Sequence, residues 1–142
     1  MTQTRVGALA ALETVIRAVV QAAGKTFVRD EEPEASRDGV VIMTDGNPGE
    51  AEVLLSPRRY CWLHKVEFEV AAKGKNRKKT VEDILALFEP ALAADRTLGG
   101  AVDGVSIEDP PDGADYDVDC TETEYSAVVK ITADYTTDSA AG

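Results

Sequence analysis

The sequence holds one histidine, His64, and two cysteines, Cys61 and Cys120, in 142 residues. A single histidine excludes a His-rich zinc site, and two thiols are too few for a disulfide framework, so two free thiols are the expectation. Long apolar runs are missing as well. No uncharged stretch exceeds seven residues, which excludes a transmembrane helix. The run from Val6 to Leu12 is interrupted by Glu13 and Arg17 with no cleavage motif behind it, unlike a secretory signal. Bases are scarce in one place: residues 97–142 carry Lys130 alone against eleven acids.

Twenty-six acids and fifteen bases give a net charge of −11, which argues against wrapping nucleic acid on a globally basic surface. Hydrophobic residues make up 44% of the chain, enough for one domain with a genuine core. The charge is uneven. Residues 1–96 are nearly balanced at −1, and residues 58–79 hold eight bases and two acids. A basic middle stretch and an acidic last third make the chain a linear electrical dipole.

Apolar residues recur at helical spacing over residues 6–23, closed by Gly24. Phe27 and Val28 carry strand character, as does the β-branched run Gly39 to Thr44. Asp45-Gly46-Asn47-Pro48-Gly49 is a dense turn signal, after which Ala51 to Leu55 is expected to return as the paired strand. Between Arg58 and Ala71, Tyr60, Trp62, His64, Val66, Phe68 and Val70 alternate with residues that become charged, the period of a long half-buried strand. A basic loop from Lys73 to Lys79 leads to Thr80, the expected N-cap, with Asp83 completing an approximate capping box. The stripe Val81, Ile84, Leu85, Phe88 and Leu92 predicts a helix that Pro90 kinks or restarts, ending at Gly99-Gly100. A short strand over 102–107, an acidic loop over 109–119, a final strand over 125–135 and a frayed tail over 138–142 complete the single domain. The order predicts an α+β fold: a mainly antiparallel sheet of four to five strands with two helices packed on one face.

Catalytic chemistry is thin. His64 is the one histidine available as a base, and its register with Trp62, Val66 and Phe68 makes it a packed core residue. Cys61 alternates to the other face, so no Cys–His pair forms locally. The lysine-rich loop lacks the spacing of a phosphate loop and the interleaved aromatics of a single-strand platform. Asp115, Asp117 and Asp119 imitate the first ligands of a calcium loop, yet Cys120 stands where glycine is needed and Ser126 where glutamate is needed. No metal and no cofactor is expected. Lys78 and Lys79 beside a helix N-terminus oppose the macrodipole by a few tenths of a kcal/mol each, roughly, which points to a partner, an acidic protein or a DNA backbone.

Three strings carry a resemblance: Asp45-Gly46-Asn47-Pro48-Gly49-Glu50; Leu54-Leu55-Ser56-Pro57-Arg58-Arg59-Tyr60 with His64 following; and Ala93-Ala94-Asp95-Arg96-Thr97-Leu98-Gly99-Gly100. In order and spacing they resemble the tail terminator, or minor tail protein U, family of tailed phages and prophages of proteobacteria. The resemblance runs from the first helix to the last strand and leaves out residues 109–119. It implies a small α+β domain without catalytic residues. It further implies a ring, typically a hexamer, at the head-proximal end of the tail tube, assembled in the host cytoplasm and then part of the virion. The ring would stop polymerisation of the major tail tube protein and present a surface to the head connector or stopper protein. DNA would be passing cargo in its hole, and no membrane is involved.

Two arrangements of the charge suit a head-to-tail ring. In one, Arg58, Arg59, Lys73, Lys75, Arg77, Lys78 and Lys79 face the acidic third of a neighbour. In the other, Asp112, Asp115, Asp117 and Asp119 line the channel and repel DNA. A neck or tail-completion protein is the nearest alternative. A small transferase and a calcium-dependent binding module are the alternatives of other classes.

Overall fold

The computed structural model describes residues 3–29, 39–108, 117–120 and 124–142. Its architecture is α+β, a mixed seven-stranded sheet with helices. Helix α1 spans Arg5–Ala22 and starts at Thr4, whose hydroxyl accepts the Gly7 amide at 3.0 Å, satisfying one orphan donor of the first turn. Leu9, Leu12, Ile16 and Val20 form its buried stripe. The chain leaves the helix through Gly24 at φ +79°, a conformation glycine adopts without a Cβ penalty.

Strand β1 (Thr26–Arg29) runs parallel to β2 (Val40–Asn47), and β2 runs antiparallel to the 16-residue β4 (Arg58–Lys73). From Tyr60 to Lys73, β4 pairs with β7 (Glu124–Thr137). Two short strands, β5 (Gly104–Ile107) and β6 (Asp117–Cys120), share the far edge of β7. The hairpin partner of β4 is β3 (Glu52–Leu55), so β3 does not return along β2 as the turn signal suggested. The Asp45-Gly46-Asn47 string is the end of β2, with a register shift between Thr44 and Asn47. A bulge adds a residue without ending the pairing, which is why turn chemistry was read where a strand continues.

The alternation along β4 decides the core. Trp62, His64, Val66, Phe68 and Val70 are buried, whereas Leu63, Lys65, Glu67 and Glu69 are exposed. The buried set packs with α1 and with the helices that follow β4, through pairs such as Phe68–Phe88, edge to face at 5.6 Å. The second helical segment breaks into α2 (Arg77–Leu85) and α3 (Phe88–Ala94). Pro90 falls in the first turn of α3, where its missing amide has no intrahelical acceptor to lose. α2 starts a turn earlier than Thr80. Asn76 caps it, and the Thr80 amide bonds the Asn76 carbonyl at 2.9 Å. The expected Thr80–Asp83 box is absent because Thr80 lies inside the helix, and Asp83 instead meets Lys79 at 3.5 Å. α3 stops at Asp95, ahead of the glycine pair, which forms part of a 3-10 turn over Leu98–Gly100.

Candidate functional site

His64 is 1% exposed and both ring nitrogens are engaged. Nε2 lies against the Asp45 carbonyl oxygen, which can only accept, so Nε2 carries the proton. Nδ1 is then the acceptor and takes the Tyr135 hydroxyl at 2.8 Å. That hydroxyl in turn accepts from Arg5 Nε at 3.1 Å. The Arg5 guanidinium stacks on Trp62, 4.5 Å from the ring centroid. Burial, above all, holds the His64 pKa below its ordinary value. With both nitrogens bonded, the neutral imidazole ties the bulge of β2 to Tyr135 of β7. The first string of the resemblance and the histidine that follows the second thus meet, through Asp45 and His64.

The seven candidate bases do not form one patch. Arg58 and Arg59 open β4 at the β3–β4 hairpin, while Lys73 closes β4 and Lys75, Arg77, Lys78 and Lys79 follow it into α2. Both groups lie on or next to the 16-residue β4, and the extended stretch between Arg59 and Lys73 sets them roughly 45 Å apart. Asp112 and Asp115 lie outside the described residues. Asp117 and Asp119 belong to β6 and pair in register with Val128 and Ser126, so that part of the expected acidic loop is strand. β6 sits on the stretch of β7 that pairs with the lysine end of β4, where Glu124 stands opposite Lys73. The basic and acidic segments that are far apart in sequence therefore lie at one end of the fold.

The opposite end has a different character. Among the described residues, the large apolar side chains left exposed are Val6, Val53, Leu54, Leu55 and Leu63, with Leu55 74% and Leu63 63% accessible. Four of them sit on β3 and the adjoining part of β4. Val6 follows Arg5, which stacks on Trp62 in the same region. All four residues of β3 are exposed. Across the sheet, a groove of about 600 Å³ runs beside β5, lined by Leu63, Glu89, Arg96, Val105, Ile107 and Asp134 among others. Arg96 pairs with Glu89 and reaches the Val105 carbonyl at 3.3 Å. Asp134 has no cation beside it among the described residues; burial first and the Asp103 charge second raise its pKa. A neighbouring hollow is lined by Glu50, Glu52, Asp103 and Asp134 around Leu63.

Sequence reasoning did not single out Val53, Leu63 or Asp134, and met Leu54 and Leu55 only as the start of the second string. Glu52-Val53-Leu54-Leu55 has the composition of a buried strand, and only its place at a sheet margin leaves it uncovered. The second and third strings map onto this end, as the β3–β4 hairpin and as the segment carrying Arg96. In the third string, Asp95 accepts the Thr97 hydroxyl at 2.8 Å and the Thr97 and Gly99 amides at 3.1 and 2.8 Å, and these bonds, the Thr97 hydroxyl foremost, lower its pKa. Among the described residues, no group of three or more His, Cys, Asp or Glu side chains is placed to hold a metal ion, and no helix is long and apolar enough to cross a membrane. No family model and no curated protein matches the chain.

Proposed function

We propose that this protein is a phage structural component, a tail terminator that assembles as a ring at the head-proximal end of the tail tube. It acts by binding and shape alone: it stops addition of tube subunits and offers its outer surface to the head connector, with DNA passing through the hole. One observation carries the reading. The exposed large apolar side chains gather at one end of the sheet instead of scattering, which is the signature of a surface completed by another protein. The engagement of both His64 nitrogens in holding strands together accords with it. Helices packed against one sheet face, with Leu63, Lys65, Glu67 and Glu69 exposed on the other, suit a wall segment of such a ring.

The test is co-expression with the tail tube protein encoded beside it, followed by negative-stain imaging. A terminator gives tubes of bounded length with a ring of about six subunits at one end. Tubes that grow without limit and carry none of this protein at their ends overturn the reading. Binding only to connector rings assigns it instead to the neck.

A further inference from the structure

Arg5 is where the first helix meets the apolar end of the sheet. It opens α1 and is half-buried. Its guanidinium lies 4.5 Å from the centroid of the Trp62 ring, and its Nε donates to the Tyr135 hydroxyl at 3.1 Å. Trp62 is buried, and its indole N–H donates to Thr137 Oγ1 at 3.0 Å. Two residues along β4, Tyr60 shares the face of Trp62. Val53 and Leu55 of β3 stand on that face too, opposite Tyr60 and Arg58. Both are exposed, as is Val6, the neighbour of Arg5 on α1. The Arg5 side chain therefore covers a tryptophan at the rim of an exposed apolar surface.

The same side chain is tied to the one histidine. The Tyr135 hydroxyl gives its hydrogen to His64 Nδ1 at 2.8 Å, and its oxygen takes the N–H of Arg5. The other ring nitrogen, Nε2, donates to the Asp45 carbonyl. This arrangement suits a neutral ring only. A proton on Nδ1 turns that atom into a donor, so one phenol oxygen receives two cationic donors and its own hydrogen loses its acceptor. Like charges so close repel strongly where water is excluded. The other groups that face His64 do not cancel this. Asp45 of β2 favours the charged ring, but its carboxylate is held by Arg29 of β1 at 2.8 Å. Tyr135 of β7 stays neutral, because burial raises its pKa further. The two cations are not equally held. His64 lies 1% exposed in the middle of the sheet, whereas Arg5 stands at a helix start and reaches water by side-chain torsions alone.

We infer that protonation of His64 expels Arg5 from Tyr135 and Trp62, so that acid uncovers the tryptophan and enlarges the apolar surface at the β3–β4 end. His64 is then a proton-sensitive latch on that surface. Burial, above all, keeps its pKa below 6.5, so the latch is shut at neutral pH and opens in mild acid. It acts on the surface itself and does not depend on the terminator reading.

Trp62 is the one tryptophan and His64 the one histidine, so each reports alone in the full chain. Between about pH 8 and pH 5, Trp62 emission should shift to the red with the same midpoint, below 6.5, as the His64 Cε1–H resonance, while far-UV circular dichroism stays constant. An apolar dye should bind severalfold more at the acid end. His64→Gln should lose the emission shift. Arg5→Ala should show the red-shifted emission already at about pH 8. Its His64 midpoint should also move upward, because the guanidinium that opposes the charged ring is gone; a residue that only packs would not move it.

A His64 resonance that titrates while Trp62 emission stays fixed means that Arg5 stays in place, and overturns the latch. An emission shift retained in His64→Gln belongs to another group and overturns it as well. So does an unchanged His64 midpoint in Arg5→Ala. An emission change that arrives only with loss of the dichroism also overturns it, since the proton then unfolds the chain instead of moving one side chain. If His64→Gln does not fold, the paired wild-type titrations and the Arg5→Ala midpoint decide.

Discussion

His64 shows how one side chain can be read correctly in kind and missed in purpose. Its alternation placed it in the core, and it is there. Its work is to hold the β2 bulge, through the Asp45 carbonyl, to the β4–β7 pair. The neutral form is the one that fits, so protonation at Nδ1 would turn the Tyr135 hydroxyl away from its partner. Because the folded pKa lies below the ordinary value of 6.5, the stabilisation is complete above about pH 6.5 and is lost as pH falls through that value toward the folded pKa. Thermal melts between pH 8 and 5.5 should therefore show a steeper decline for wild type than for His64→Gln. Tyr135→Phe should cost about 1–3 kcal/mol by leaving Nδ1 and Arg5 without their shared hydroxyl, measured by urea unfolding at pH 7.5. Gly46 belongs to the same bulge. At φ +69° a Cβ there would overlap the Lys65 carbonyl oxygen, so Gly46→Ala should cost well over the roughly 1 kcal/mol of an ordinary left-handed glycine. Gly24→Ala, with open space around it, is the control that costs only that amount.

At the scale of elements, α2 carries Arg77, Lys78 and Lys79 in its first turn, with no acid there and no side-chain cap bond. The macrodipole disfavours all three. Lys78→Glu should raise stability by about 0.3–1 kcal/mol at low salt, seen as a higher unfolding midpoint. If the lysines contact an acidic partner, the same substitution lowers its binding even as stability rises. The alternating runs of β4 and β7 and the periodic stripe of α1 were legible because a two-residue or 3.6-residue period reports a single buried face. The partner of β3 was not legible, because pairing is a choice between margins that local composition does not encode. Nor was the first residue of α2, because Thr80-Val-Glu-Asp83 has the form of a cap and the helix began upstream of it.

At the scale of the molecule, the linear dipole changes form. Folding brings β6 and Glu124 to the lysine end of β4, so acidic and basic segments far apart in sequence share one end of the fold. The opposite end carries both signs: Arg58 and Arg59 on the β3–β4 hairpin, and Glu50, Glu52, Asp103 and Asp134 around one hollow. Self-association should accordingly weaken as salt rises from about 0.05 M to 0.5 M, through slower encounter, without vanishing, because screening leaves apolar burial untouched; sedimentation at fixed protein concentration checks this. An association indifferent to salt would remove charge pairing from the ring contact.

The sequence by itself determined the α+β class, the two long strands, the amphipathic first helix, the burial of His64 and the excess of acid in the last third. Each of these follows from a period or a sum along the chain. Only the tertiary structure decided that the seven bases split between two ends, that Asp117 and Asp119 lie in a strand, and that Val53, Leu54 and Leu55 are exposed. The physical reason is the same in each case. Exposure and proximity depend on which strand lies at a sheet margin, and that is fixed by pairings between residues tens of positions apart.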